Sequence, residues 1–210
     1  MDDLSMFKNI TNDEIDFMLK CFHAIRMTFK KERTIISSII NSNYIGVILS
    51  GTAHMVKYDY KGNRTILEKL ERDSTFGNIF MSLGNDISIT ATTDCDVLLI
   101  EYSHVYEQCR KNCRCHTIFT SNILELLSKK VSELNDRLEV LSNRSIRDKL
   151  LSYFGLLVKG KSRRSFILPF SYTELADYLS VDRSAMQREL KNLKDEGFIT
   201  TNGKRITLNY

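Results

Sequence analysis

The stretch 171–193 restricts the fold most, because it holds two short helical patterns on either side of a tight break. Ser171 precedes Glu174 by three residues, which is the spacing of a capping box, so we expect the first helix to begin there. Residues 180–182 form the break, and Asp182 is suited to cap the second helix. The stretch therefore predicts two short helices that meet at a sharp turn.

The second predicted helix has two unlike faces. Met186, Leu190 and Leu193 recur at helical spacing and form an apolar stripe for a core. The opposite face carries cations with amide and hydroxyl groups: Arg183, Ser184, Gln187, Arg188, Lys191 and Lys194. Such a face suits the major groove of double-stranded DNA, since Arg can donate two hydrogen bonds to guanine, Gln can pair with adenine and Lys can neutralise phosphate. An ordinary pair of helices with a solvated basic face is the alternative interpretation.

A predicted β-hairpin follows the second helix. Gly197 is suited to end that helix, and residues 198–201 and 204–208 have the composition of short strands. Asn202-Gly203 between them favours a type I′ turn, which needs positive φ at both positions. Lys204 would then lie at the base of the hairpin, near the DNA backbone. Two helices followed by such a hairpin predict a winged helix-turn-helix.

Positive charge is concentrated near the C-terminus. The formal net charge is +4, and residues 142–210 hold 13 Lys/Arg against 7 Asp/Glu, whereas residues 1–141 hold 17 against 19. A basic surplus in the C-terminal part is expected of a domain that binds a polyanion. No uncharged apolar run of about 18 residues occurs, and the N-terminus lacks a basic start followed by an apolar run. We therefore expect a cytoplasmic protein without a membrane partner.

The N-terminal part changes its periodicity near Thr34. Residues 1–30 carry a weak helical pattern, with Ile15, Met18, Leu19 and Phe22 on one face. Short β-rich runs separated by turn residues follow at 44–50, 52–60 and 64–70, and residues 87–100 supply one or two more. Regularly spaced short strands predict an antiparallel barrel or sandwich.

A heptad seam lies between these two parts. Its members are spaced alternately by three and four residues: Leu124, Leu127, Val131, Leu134, Leu138 and Leu141. The positions between them are so polar that only a narrow seam is left to bury, which predicts self-association through this helix. A helix that lies against its own barrel is the alternative. A parallel homodimer would present two recognition helices, one for each DNA half-site.

The order of these parts resembles the family of the cyclic-AMP receptor protein and the fumarate-nitrate reduction regulator, called Crp/Fnr. The resemblance rests on VILSGTAHMVKYDYKGNRTILEKL in the predicted barrel, TFGN after it, and TELADYLSVDRSAMQREL with KDEGFI in the C-terminal part. It implies a homodimeric transcription factor that binds a two-fold symmetric DNA site, as activator or repressor, and often contacts RNA polymerase. It also places Arg183, Ser184, Gln187 and Arg188 at the positions that face DNA. Members commonly have Glu where Ser184 stands, so the family's usual recognition sequence is not assumed.

The resemblance implies an α+β fold in three parts. An N-terminal antiparallel β-roll, a jelly roll like that of cyclic-nucleotide-binding domains, is expected over residues 1–116 as the effector domain. A long dimerisation helix is expected over 117–142 and a winged helix-turn-helix over 143–210. Residues 141–144 are typical of a hinge, and Ser142 or Asn143 is suited to cap the helix that follows.

The predicted sensory part departs from the cyclic-nucleotide branch of that family. That branch has Glu after the glycine that corresponds to Gly77, and an Arg-Ser pair that holds the cyclic phosphate. Here Asn78 follows Gly77, and no Lys or Arg occurs between Arg72 and Arg110. A buried phosphate without a cation would be poorly compensated. We therefore expect no binding of cyclic AMP through the usual pocket.

A cluster of cysteines near residue 113 allows several interpretations, with and without a cofactor. Cys109, Cys113 and His116 would share one face of a helix, and Cys115 lies beside them. Three such side chains, with Cys115, Cys95 or Cys21 as a fourth, could hold a metal ion or an iron–sulphur cluster. Nearby cations would favour thiolates, so thiol redox sensing is a second hypothesis. Reduced structural cysteines without a ligand are the third.

An enzymatic function finds little support in the sequence. A barrel enzyme of the cupin type would need several His and a Glu that converge inside the barrel, and only His54 lies in that region. No Ser-His-Asp grouping, phosphate loop or paired acid motif stands out. We therefore expect a DNA-binding regulator rather than an enzyme. A DNA-binding protein without any effector is a further alternative.

Overall fold

The computed structural model describes residues 3–37, 44–77, 87–101, 103 and 113–210. The chain divides into two compact units, an N-terminal unit (Met1–Val131) and a C-terminal unit (Ser132–Tyr210). Each unit has its own hydrophobic core, and a long helix begins in the first and ends in the second. The three-part division at residues 116 and 142 stays a prediction.

The N-terminal unit begins with two helical segments. After a short 3-10 helix (Ser5–Phe7), α1 (Asn12–Cys21) begins at a capping box, in which the Thr11 hydroxyl accepts from the Glu14 amide and the Glu14 carboxylate accepts from the Thr11 amide. The strands that follow are β1 (Ile25–Phe29), β2 (Thr34–Ser37), β3 (Tyr44–Ser50), β4 (Ala53–Tyr58), β5 (Arg64–Leu70), β6 (Thr75–Gly77), β7 (Ile87–Ala91) and β8 (Cys95–Glu101).

These strands form two four-stranded antiparallel sheets, ordered β1-β8-β3-β6 and β2-β7-β4-β5. The predicted antiparallel barrel or sandwich is therefore confirmed as a β-roll. The helical pattern predicted over residues 1–30 is wrong beyond Cys21, because β1 pairs in antiparallel register with β8. Across this pair Arg26 and Thr28 both donate hydrogen bonds to Asp96, a long-range contact that a weak local pattern could not show.

The core of the β-roll explains why β3 is an unbroken apolar run. Ile48 faces the other sheet, whereas Ile45, Val47 and Leu49 pack beneath the N-terminal helices and the start of the long helix. Because β3 is covered on both faces, it lacks the alternation of a half-exposed strand. A Cβ at Gly46 would lie 2.2 Å from the ring of Phe76, so the position requires glycine.

The C-terminal unit contains three helices and a small sheet after the long helix ends. The long helix is α2 (Arg114–Ser142), and the elements that follow are α3 (Ile146–Val158), β9 (Ser165–Ile167), α4 (Tyr172–Leu179), α5 (Arg183–Asp195), β10 (Ile199–Asn202) and β11 (Arg205–Leu208). The strands form an antiparallel sheet in the order β10-β11-β9. The predicted winged helix-turn-helix fold is confirmed.

The cap predicted for α3 is wrong. The Ser145 hydroxyl caps this helix by accepting from the Asp148 amide at 3.0 Å. Ser142 and Asn143 instead donate side-chain hydrogen bonds to the Glu139 carbonyl, at 2.8 and 3.0 Å. They are used to satisfy the last carbonyls of α2, which have no partner within the helix.

Candidate nucleic-acid interface

Side-chain caps fix the positions of α4 and α5 as the sequence predicted. The Ser171 hydroxyl and the Glu174 carboxylate form a reciprocal capping box at the start of α4. Ser180 ends α4 in the left-handed conformation, with φ of 53°. Asp182 then caps α5, because its Oδ1 accepts from the Ala185 amide at 2.8 Å. The turn between the helices is therefore set by local hydrogen bonds.

The inner face of α5 is held by apolar packing. Met186 and Leu193 are fully buried, and Leu190 is half-buried. Leu175, Ala176 and Leu179 of α4 are buried in the same unit. Burial of this stripe fixes the rotation of α5 about its axis, so its polar face must point outward.

Every side chain predicted to contact DNA is exposed. These side chains are Arg183, Ser184, Gln187, Arg188 and Lys191 on α5, and Lys204 after β10. The five on α5 lie on one face because the opposite face is buried. The structure thus gathers cations, an amide and a hydroxyl on one convex helix, with dimensions that fit a major groove.

The hairpin has a different turn from the predicted one. Asn202 pairs with Arg205, so the two-residue loop is Gly203-Lys204 and not Asn202-Gly203. Gly203 has φ of 58°, and neither Asn202 nor Lys204 has positive φ. Glycine at the first loop position alone is typical of type II′, so the type I′ prediction is wrong. The shift places Lys204 at the tip of the hairpin rather than at its base.

The sequence did not reveal how the acidic side chains beside the exposed polar face of α5 are neutralised. Arg147 of α3 forms ion pairs with Glu189 at 3.3 Å and with Glu196 at 2.5 Å. Its guanidinium also lies 4.8 Å from the centre of the Phe198 ring. The hydrogen bond from Arg147 holds the pKa of Glu196 below its usual value. No local signal links residue 147 to residues 189–198, because only the packing of α3 against α5 joins them.

A second contact that the sequence analysis missed lies at the start of α5. The Ser184 hydroxyl donates to Asp182 Oδ1 at 2.5 Å, the same oxygen that caps the helix. This bond from Ser184, followed by the one from the Ala185 amide, holds the pKa of Asp182 below its usual value. The sequence signal that could have predicted this hydrogen bond is a serine two residues after a predicted Asp cap.

Four of the six predicted heptad residues are exposed in the single chain. Leu124, Val131, Leu134 and Leu138 are 62%, 57%, 45% and 66% exposed, respectively. Leu127 is half-buried and packs on the core of the N-terminal unit, and Leu141 is also half-buried. The structure therefore shows an apolar stripe along α2 that this chain leaves largely uncovered.

Two buried polar residues of α2 anchor this helix to the N-terminal unit. The Asn122 amide donates to the carbonyls of Met6 and Lys8, at 3.1 and 2.8 Å. Lys130, whose side chain is 10% exposed, forms an ion pair with Glu68 of β5. These contacts fix which side of α2 faces outward.

The predicted cysteine cluster is only partly described. Cys109 lies outside the described residues. Cys115 is buried in the core beside Phe119, Cys113 is half-buried, and the ring of His116 meets that of Phe22 edge-on at 5.5 Å. Among the described residues no three His, Cys, Asp or Glu side chains are placed to hold a metal ion.

His54 is nearly fully buried in the β-roll. It is 2% exposed, and its Nδ1 lies 3.0 Å from Nη2 of Arg64. Because a guanidinium can only donate, this geometry makes Nδ1 the acceptor and leaves the proton of a neutral ring on Nε2. His54 is therefore a packed histidine with a hydrogen-bond partner.

No helix within the described part of the chain has the length and apolar character needed to cross a membrane.

Two sequence models of protein families match this chain. The model of a Crp-like helix-turn-helix domain matches residues 148–209, and that of a cyclic nucleotide-binding domain matches residues 26–112. A curated relative, the probable transcriptional regulator flp of Lacticaseibacillus casei, is 31% identical over 88 residues. That match covers 40% of this chain and 40% of the relative's own length.

Solved structures share the fold at low sequence identity. A CooA mutant from Carboxydothermus hydrogenoformans has a TM-score of 0.72 at 17% identity, with 92% of this chain and 86% of that chain covered. FixK2 from Bradyrhizobium japonicum has a TM-score of 0.65 at 17% identity, with 89% and 93% covered. Because these likenesses extend over both units, the order of β-roll, long helix and winged helix-turn-helix is common to all three proteins.

Proposed function

The chain belongs to the Crp/Fnr family of transcriptional regulators, and from this premise we propose that it is a homodimer that binds a two-fold symmetric DNA site through α5. The observation that carries the proposal is the division of α5 into a buried apolar face and an exposed face of cations, amide and hydroxyl. It regulates transcription by occupying that site rather than by catalysing a reaction.

Five of the six exposed residues predicted to contact DNA have a chemical role in this proposal. Arg188 donates two hydrogen bonds to the O6 and N7 atoms of a guanine, and Gln187 pairs with an adenine. Lys191 and Lys204 neutralise phosphates on either side of the base contacts. Arg183, at the N-terminal end of the helix, is placed to reach either a base edge or the backbone. Base contacts give selectivity, and phosphate contacts give affinity that depends on salt.

Pairing of two chains along α2 supports the symmetric site. An exposed Leu/Val stripe at heptad spacing is the surface that a second copy of the same helix covers in a parallel coiled coil. Two copies present two α5 helices, which suit half-sites separated by one helical turn of DNA, about 34 Å. Domain boundaries at residues 116 and 142 follow from this division of roles.

The N-terminal unit acts as the sensory part and does not use cyclic AMP in the family's usual way. The sequence from 73 to 109 has no Lys or Arg to compensate a buried phosphate. Contact with RNA polymerase by the DNA-bound dimer is the remaining element of the proposal, and it rests on family membership alone.

In vitro selection from a random duplex library, followed by titration of the selected site, tests DNA recognition. Arg188→Ala should weaken binding to the selected site by about 1–3 kcal/mol and relax the choice of base at one position. The matched control is Lys20→Ala, which removes an exposed cation from α1 and should leave the titration unchanged. Equal affinity of wild type and Arg188→Ala for the selected site would overturn the assignment of α5.

A further inference from the structure

The hydroxyl of Ser184 has its proton already engaged. A serine hydroxyl has one proton to donate and two lone pairs that accept. The proton points to Oδ1 of Asp182, at 2.5 Å. The direction of this hydrogen bond is fixed because an ionised carboxylate can only accept. Ser184 is exposed, so its lone pairs are the part of the hydroxyl that a partner molecule meets.

Asp182 is itself held in one position. The same Oδ1 atom accepts from the Ala185 amide at 2.8 Å, so the carboxylate cannot turn away from Ser184 without uncapping α5. A hydrogen bond to a charged acceptor also makes the donating oxygen a better acceptor in its turn. Asp182 therefore orients Ser184 in addition to starting the helix.

The engaged proton of Ser184 limits which base edges its hydroxyl can bind. The first residues of a recognition helix contact base edges in the major groove. There adenine and cytosine present exocyclic amino groups, whereas guanine and thymine present carbonyl oxygens. A freely rotating hydroxyl can bind either kind of group. A hydroxyl whose proton is engaged can only accept, so a carbonyl oxygen opposite it meets a lone pair and is disfavoured.

We infer that Ser184, oriented by Asp182, selects an adenine or cytosine amino group at one position of the DNA site and rejects guanine and thymine there. This inference rests on the proposed function, because it requires α5 to bind the major groove. It makes Ser184 a residue that determines specificity and Asp182 a positioning residue that does not touch the base.

In vitro selection with the full chain tests the inference through base preference rather than through affinity. Ser184→Ala removes the acceptor, and Asp182→Gly removes the carboxylate while keeping a residue that is tolerated as a helix cap. The matched control is Thr173→Ala, since Thr173 is an exposed hydroxyl residue at the second position of α4, as Ser184 is of α5. Thermal unfolding of each variant confirms that the C-terminal unit is folded.

We expect one position of the selected site to hold adenine or cytosine with wild type and with Thr173→Ala. Ser184→Ala should lower the preference for that base by about fivefold, as expected for the loss of one neutral hydrogen bond. Asp182→Gly should admit guanine or thymine at that position, because the freed hydroxyl can then donate. It should leave the other positions as they are in wild type.

Two results would overturn the inference while leaving the proposed function intact. One is a wild-type site whose base preferences are unchanged in Ser184→Ala. The other is an Asp182→Gly protein that still rejects guanine and thymine where wild type does. Failure of wild type to select any sequence would instead refute the proposed function, and the inference would fail with it.

Discussion

Helices α2 and α5 each bury one face and expose the other, but their exposed faces have opposite chemistry. Along α2 the outward residues include Leu124, Val131, Leu134 and Leu138. Along α5 they include Arg183, Ser184, Gln187, Arg188 and Lys191. An exposed apolar stripe is stabilised when another apolar surface covers it. An exposed cationic face is instead stabilised by contact with a polyanion. The contrast supports the proposal that α2 self-associates and that α5 binds DNA.

The inner faces of the two helices also differ. The inner face of α5 is apolar, and its charged contact with Arg147 lies at the edge. The inner face of α2 includes two buried polar anchors, Asn122 and Lys130. A polar anchor fixes the rotation of a helix more strictly than apolar packing does, because its hydrogen bonds require one geometry. Such strictness suits a helix whose exposed stripe is proposed to pair with a second copy of itself.

The largest effect is expected from a charge placed in the α2 stripe. Leu134→Asp would put two like charges in a dry seam, and we expect the protein to sediment as a monomer at concentrations where wild type is a dimer. Ser132→Asp, on the polar side of the same turn, is the matched control and should remain dimeric. A dimeric Leu134→Asp protein would contradict the proposal that the apolar stripe of α2 is the surface of self-association.

The next largest effect concerns the ion pair that anchors α2 through Lys130. Lys130→Met removes the cation that pairs with Glu68, whose side chain is only 22% exposed. We expect the free energy of unfolding of the N-terminal unit to fall by about 3 kcal/mol, measured by urea denaturation. The double variant Lys130→Met/Glu68→Leu should recover most of this loss. Equal losses in the single and double variants would show that the ion pair is not the anchor.

A smaller effect is expected at the phosphate-facing end of α5. Lys191→Ala should weaken binding to all duplexes alike, and the slope of log affinity against log salt should decrease by about 1. Titrations of the selected site and of an unrelated duplex at several salt concentrations measure both quantities. A loss of affinity confined to the selected site would show that Lys191 contacts a base rather than a phosphate.

The smallest effect is expected from the cap that starts α4. Ser171→Ala removes half of a capping box and should lower the free energy of unfolding of the C-terminal unit by about 1 kcal/mol. Thr173→Ala, an exposed substitution in the same helix, should change it by less than about 0.5 kcal/mol. If both variants are equally stable, the capping box of α4 does not contribute to the stability of the C-terminal unit.

Local patterns determined much of the fold because they depend on residues close in sequence. The capping box at Ser171, the cap at Asp182 and the strands 44–50 and 64–70 all follow from spacing and composition. The two faces of α5 follow from helical periodicity in the same way. Hydrogen bonds within about four residues and a fixed helical repeat leave few alternatives.

Errors arose where a local signal competed with a partner distant in sequence. Residues 25–29 had a weak helical pattern, yet pairing with β8 made them a strand. Asn202-Gly203 favoured one turn, but the register of β10 with β11 moved the loop by one residue. Ser142 and Asn143 had the composition of caps and were used by the preceding helix.

By itself, the sequence determined the order of the parts, the two helices with their opposite exposed faces, and the candidate DNA-binding residues. Only the tertiary structure decided that Arg147 neutralises Glu189 and Glu196, that Lys130 pairs with Glu68, and that the heptad stripe faces outward. Periodicity is a property of neighbouring residues, so it shows that a helix has two faces. Which face is buried, and which charge meets which, depends on segments that only the folded chain brings together.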